Sequence, residues 1–153
     1  MNLTEEIISK LPYQKPFHFV EQLESIDENG SVGTYSLKKD EYFYEGHFPG
    51  NPVTPGVIVI EIMAQIGLVC LGIFLEMDKS NNSDNFVPFF SSTNVDFLKP
   101  SYPGDVLRIS SKKVYYRFGK LKCTIECHNL TSEELVCRGE FSGMIIKKGN
   151  IEK

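Results

Sequence analysis

The 153-residue chain has no tryptophan and little cysteine. Its four cysteines, Cys70, Cys123, Cys127 and Cys137, are too few for a disulfide scaffold at this length, and no two form a C-x-x-C pair. Along a strand, Cys123 and Cys127 would stand about 13 Å apart, beyond the reach of a disulfide. Buried reduced thiols are therefore the expectation; they fit the cytoplasm and make zinc the weaker reading. Positive charge is also short, sixteen Lys and Arg facing twenty Asp and Glu for a net charge of −4. A nucleic-acid binder needs a basic surface to displace counterions, so that class is set aside. Met1 to Glu6 is acidic at its end and carries no apolar run, so no secretory leader is read. Walker, G-x-S-x-G and H-E-x-x-H motifs are all missing.

What the chain holds is apolar material, 41% of its residues, enough for one globular domain over residues 1–153. Leu3 to Leu11 reads as a short helix with Thr4 as N-cap, stopped by Pro12. Phe17 to Ser25 and Val32 to Leu37 read as strands joined by a turn at Asp27 to Gly30. Asp40 to Thr54 is a long loop, and loops of that length in compact domains are usually functional or disordered; its Tyr42, Phe43 and Tyr44 argue against disorder.

From Val57 to Met77, sixteen of twenty-one residues are apolar. That length would span a membrane. Glu61 inside the run and the lack of adjacent Lys or Arg at either end oppose that reading. A helix apolar nearly all round is otherwise buried in protein, and about 30 Å of buried helix calls for a sheet wrapped around it. Lys79 to Asn85 reads as a polar surface loop. Beyond it, Leu121, Cys123, Ile125 and Cys127 alternate with Lys120, Lys122, Thr124 and Glu126. Leu135, Cys137, Phe141 and Ile145 alternate more loosely with Arg138, Glu140 and Ser142. A period of two marks a half-buried antiparallel sheet, so the fold class is α+β, one long buried helix with about six strands.

Chemistry concentrates between Gly46 and Gln65. His47 lies among glycines and prolines, in a loop able to fix an imidazole for proton transfer, or simply to carry a histidine without a role. Glu61 is a carboxylate among apolar neighbours, and Gln65 at i+4 shares its helix face. A hydrogen bond between them would orient the carboxyl, and desolvation would favour its neutral, proton-donating form. The alternative is a Glu61 exposed at a helix edge. Gly56 opens the helix, where an unpaired N–H and the helix dipole can steady a carbonyl oxygen that gains negative charge. Base, acid and oxyanion donor together suit proton abstraction beside a carbonyl with loss of a leaving group. His18 reads as a strand-edge side chain and His128 as solvent-facing.

The stretch Gly46-His47-Phe48-Pro49-Gly50-Asn51-Pro52-Val53-Thr54-Pro55-Gly56-Val57, running into Ile60-Glu61-Ile62-Met63-Ala64-Gln65, closely resembles the 3-hydroxyacyl-[acyl-carrier-protein] dehydratases of fatty-acid synthesis, the FabZ type. Leu11-Pro12, Pro16-Phe17, Phe97-Leu98-Lys99-Pro100 and Pro103-Gly104-Asp105 extend the likeness over residues 11 to about 147. The resemblance implies a hot-dog fold, an antiparallel sheet around one helix. It implies homodimers with active sites shared across the interface, and in many members trimers of dimers. By the same resemblance His47 is the catalytic base, Glu61 the catalytic acid, and Gly56 the binder of the thioester carbonyl. Val53 orients the histidine through its carbonyl, and Gln65 sits beside the acid. No metal or organic cofactor is implied, and the partner is acyl carrier protein.

Departures exist. Tyr13-Gln14 replaces the family's usual His-Arg, Glu21 its Asp, and of the basic residues that often dock the carrier near the second motif only Lys99 remains. A specialised pathway, such as polyketide-like pigment or aryl-polyene synthesis, is therefore open beside housekeeping fatty-acid synthesis. A hot-dog thioesterase and a non-catalytic acyl-binding subunit are the rival readings. An acyl carrier is itself acidic, so a chain of net charge −4 needs local lysines to meet it; Lys99, Arg108 and Lys112 are the candidates.

Overall fold

A computed structural model describes residues 1–77 and 86–147. The polar loop expected at Lys79 to Asn85 lies outside the described residues. Helix α1 (Leu3–Ser9) comes first, then strands β1 (Gln22–Asp27) and β2 (Gly30–Ser36). The central helix α2 (Gly56–Met77) follows, then strands β3 (Phe86–Phe97), β4 (Val106–Arg117), β5 (Lys120–Asn129) and β6 (Glu134–Lys147). The strands form one sheet in the order β1-β2-β4-β5-β6-β3, with every pairing antiparallel. The central helix is long and apolar enough to cross a membrane, but 72% of its most apolar window is buried inside the protein. Ile62, Met63, Ile66 and Leu71 of α2 share one core with Leu107, Ile109, Ile125 and Phe141 of the sheet. Each such fully buried side chain stabilises the fold by about 1.5–3 kcal/mol.

The helix is not α-helical throughout. Over Gln65–Val69 it widens to a π-helix, closed by a hydrogen bond from the Cys70 N–H to the Gln65 carbonyl. The buried Ser31 hydroxyl donates to the Ile66 carbonyl at 2.9 Å and lies 2.9 Å from the Ser111 hydroxyl. A hydroxyl from the sheet thus reaches the helix backbone where its regular ladder is broken. Gly67 lets the same turn approach the sheet: a Cβ there would stand 2.7 Å from Ile125 Cδ1.

Local chemistry shifts several expected boundaries. Helix α1 is capped by Asn2, not Thr4: the Asn2 side chain accepts from Glu5 N–H at 2.9 Å, and the Glu5 carboxylate accepts in return from the Asn2 N–H. The strand expected from Phe17 begins only at Gln22, because the Phe17 carbonyl and the Phe19 N–H are taken by the side chain of Gln65. In β5 the alternation is regular, with Leu121, Cys123, Ile125 and Cys127 all buried. In β6 it slips. Cys127 faces Cys137 but His128 faces Leu135, leaving Val136 as an extra residue, and both Val136 and Cys137 turn into the core. Ser142, expected outward, is only 5% exposed, flanked by Ser92 and Lys122 on the neighbouring strands. His128 is half-buried rather than solvent-facing, and all four cysteines are free, buried thiols.

Candidate active site

The loop leading to α2 is held at both ends. The Tyr44 hydroxyl and the Thr54 hydroxyl lie 2.7 Å apart in the interior, and the Thr54 N–H donates to the Ser101 carbonyl at 2.9 Å. Between these ties the backbone folds on itself. Phe48 and Asn51 exchange N–H to carbonyl hydrogen bonds of 3.1 and 2.8 Å, and Val53 N–H donates to the His47 carbonyl at 2.9 Å. Gly50 takes φ +74° in this turn, a left-handed conformation that costs glycine nothing. The result fixes the imidazole of His47, whose Nδ1 lies 2.8 Å from the Val53 carbonyl oxygen and whose ring stacks on Phe48 at 4.1 Å. A carbonyl can only accept, so Nδ1 carries the proton. In the neutral ring the lone pair then sits on Nε2, which no other group in the described residues binds.

Pro55 puts no side-chain cap on α2. The Ile58 and Val59 N–H groups both reach the Pro55 carbonyl, while those of Gly56 and Val57 find no acceptor among the described residues. The Phe97 ring covers Gly56 so closely that a Cβ there would meet Phe97 Cζ at 3.0 Å. Lys99 lines the same shallow depression.

Glu61 is half-buried on the far side of the first turns of α2. Gln65, fully buried, donates to the Glu61 carboxylate at 3.0 Å and to the Phe17 carbonyl at 3.0 Å, and its carbonyl accepts from the Phe19 N–H at 2.8 Å. Burial raises the Glu61 carboxyl above the ordinary carboxylate range, and the amide donated by Gln65 pulls it partly back. The carboxyl faces a cavity of about 460 Å³, part of it open to solvent, walled by Tyr13, Leu68, Phe89, Phe90 and Met144. His47 is not among its walls, and no hydrogen bond joins His47 to Glu61 among the described residues.

The structure therefore brings together His47 with Val53, and Glu61 with Gln65, as two separate pairs within one chain. Gln65 also ties the segment around Phe17 to the helix, a contact that no spacing in the sequence signals. Tyr13, noted in the sequence only as a departure from a motif, forms part of the Glu61 cavity. Of the other lysine and arginine candidates, Arg108 is paired with Glu24 at 3.0 Å, and Lys112 lies in a polar groove of the sheet with Thr124, Glu126 and Arg138.

An antiparallel sheet closed around one apolar helix is the hot-dog fold. The dehydratase heterocomplex ApeI:P from Xenorhabdus doucetiae superposes with a TM-score of 0.78 at 15% identity, covering 99% of this chain and 97% of that one. A thioesterase superfamily member from Thermus thermophilus superposes at 0.61 with 16% identity, covering 84% and 90%. Residues 11–140 match the FabA-like domain, and the chain belongs to that family. It is 33% identical over 145 residues to the 3-hydroxyacyl-[acyl-carrier-protein] dehydratase FabZ of Caulobacter vibrioides, covering 94% of this chain and 88% of the relative. The corresponding enzyme of Caldicellulosiruptor saccharolyticus is 36% identical over 139 residues, covering 88% and 92%.

Proposed function

We propose that this chain dehydrates 3-hydroxyacyl thioesters on acyl carrier protein to trans-2-enoyl thioesters, in the cytoplasm, for fatty-acid or a related synthesis. The observation that carries the reading is the presence of two proton-transfer groups, a His47 oriented by Val53 and a Glu61 whose carboxyl burial raises above the ordinary range, in a relative of FabZ enzymes. The substrate's thioester carbonyl accepts from the free N–H of Gly56, which acidifies the α-carbon. Nε2 of His47 takes the α-proton, and its Nδ1–H stays on the Val53 carbonyl. As the C2=C3 double bond forms, the C3–O bond breaks, and the hydroxyl leaves as water with the proton of Glu61. The carboxylate then recovers its proton from the imidazolium through solvent, which closes the cycle without net change in the protein. The chain's thioesterase neighbours share its fold at 12–16% identity and carry no argument for hydrolysis.

The active site is completed by a second copy of the chain. Strand β3 is an edge of the sheet, twelve residues with one side unpaired. Phe89, Phe90 and Phe97 on it are 57%, 38% and 50% exposed, and Val57 and Phe48 beside the helix start are 73% and 52% exposed. A long apolar edge left open invites pairing with another strand. Pairing β3 to β3 across a two-fold axis would set the His47 loop of one copy against the Glu61 cavity of the other. Further assembly into a trimer of dimers belongs to the same reading.

Two inactive variants test both statements at once. His47→Ala and Glu61→Gln should each abolish hydration of a crotonyl thioester while remaining dimeric. Unfolded together and refolded, they should recover about a quarter of wild-type activity, since half the dimers are mixed and each mixed dimer has one intact composite site. Mixtures without activity would refute a shared site, and turnover by His47→Ala alone would refute the role of the histidine.

A further inference from the structure

Two cavities lie end to end along α2. The one beside Glu61 is bounded at its inner end by Val69, Pro88 and Ile145. A smaller and much tighter hollow begins at those same three residues and continues past Ile73 to Glu76. Val69, Pro88 and Ile145 are thus a partition, contributed by the helix, by β3 and by β6 in turn. Ile145 is seated there by Gly72: a Cβ on Gly72 would meet Ile145 Cδ1 at 2.9 Å, so only glycine leaves the isoleucine room against the helix. Behind the partition the lining turns polar, with Lys10 and with a Glu76 carboxylate that accepts from the Tyr116 hydroxyl.

We infer that this partition sets the length of acyl chain the protein accepts, with Ile145 as the residue that closes the channel. The inference rests on the reading of Glu61 as the reacting end. Glu61 and Val69 are eight residues apart, about 12 Å along the helix axis. An extended chain advances roughly 1.2 Å per bond, from about 3.5 Å per three bonds, so on the order of eight to ten carbons fit beyond C3. Longer chains meet the partition and, past it, the carboxylate of Glu76, where further methylenes gain no apolar burial. The preferred substrates are therefore short- to medium-chain 3-hydroxyacyl thioesters. Ile145→Ala opens the first cavity into the second.

The test is calorimetric binding of saturated acyl-coenzyme A from butyryl to stearoyl to the intact protein, for wild type, Ile145→Val and Ile145→Ala. Below the limit each buried methylene should tighten binding about fourfold. The wild-type series should climb to about dodecanoyl and be flat by hexadecanoyl. Ile145→Ala should carry the climb further, so that hexadecanoyl binds about tenfold tighter relative to dodecanoyl than in wild type, with Ile145→Val between them. A wild-type series still climbing at hexadecanoyl, or superimposable profiles for all three proteins, would overturn the inference. If Ile145→Ala does not fold, the wild-type plateau and the Ile145→Val shift decide it. Turnover of 3-hydroxybutyryl thioester, measured alongside, tests the dehydratase reading separately, because the binding profile does not depend on catalysis.

Discussion

Gln65 holds the acid, the helix and the N-terminal segment in one knot, and replacing it by methionine isolates what that knot is worth. The side chain is fully buried and makes three hydrogen bonds. Methionine has a similar shape and restores none of them. The Phe19 N–H, buried, loses its acceptor at about 1–3 kcal/mol. The Phe17 carbonyl is only part-buried and can turn to water, so its loss costs about 1 kcal/mol or less. Glu61, also part-buried, can stay protonated, and the apolar thioether regains about 1 kcal/mol by avoiding burial of an amide. The sum is a destabilisation of about 1–3 kcal/mol, a sizeable share of the roughly 5–15 kcal/mol that holds a domain folded. Urea unfolding at one fixed protein concentration should read that difference, and melting should fall by about 2–12 °C. Without the donated amide the Glu61 carboxyl should also titrate higher than in wild type, not lower. A variant within about 0.5 kcal/mol of wild type, or a Glu61 that titrates lower, would refute the account of Gln65.

Gly56→Ala pushes a methyl to within 3.0 Å of the Phe97 ring, which must shift or tilt the helix start. Turnover of a small 3-hydroxyacyl thioester should fall at least about tenfold with little change in melting, and a fully active variant would remove the oxyanion role. Glu61 has its pKa raised by folding above the ordinary 4.5, so the folded chain holds more protons than the unfolded one between the two values, and stability falls as pH rises through that window. Glu61→Gln should accordingly melt higher than wild type at pH 8, with the difference vanishing below about pH 4; an equal difference at both pH values would contradict the burial argument. Lys99, half-exposed and 3.6 Å from Glu134, lies by the helix start. Lys99→Glu should raise KM about tenfold for a carrier-bound substrate and little for a small thioester, whereas equal effects on both would rule out docking there.

The apolar run of α2 and the period of two in β5 made the architecture legible, because both report burial directly and burial is what the sheet and helix share. His47, Glu61 and Gly56 stand out as candidates for another reason: a loop dense in proline and glycine, and a carboxylate in an apolar helix, each violate local preference. What escaped was set by partners distant in sequence. The start of β1 moved because Gln65, forty-six residues after Phe19, competes for its N–H. The π-helical turn depends on Ser31 and Ser111, neither of which is remarkable by composition. The bulge at Val136 exchanges faces in β6 without any glycine or proline to announce it. The fusion of Tyr13 into the Glu61 cavity needs the N-terminal segment to pack against α2, which no period in either segment encodes.

Gly56 and Glu61 stand on the same helix but on different faces of it. Gly56 and Glu61 are five residues apart, which places them about 7.5 Å along the axis and about 140° apart around it. Glu61 faces the cavity lined by Phe89 and Phe90, and His47, held by the Val53 carbonyl, is not among the walls of that cavity. A substrate that needs a base at C2 and an acid on the C3 oxygen must find them within a single bond of each other. In the proposed pairing of two copies through β3, that demand would be met twice, once for each Glu61, and the exposed edge that would be a hazard to a monomer would serve the chemistry.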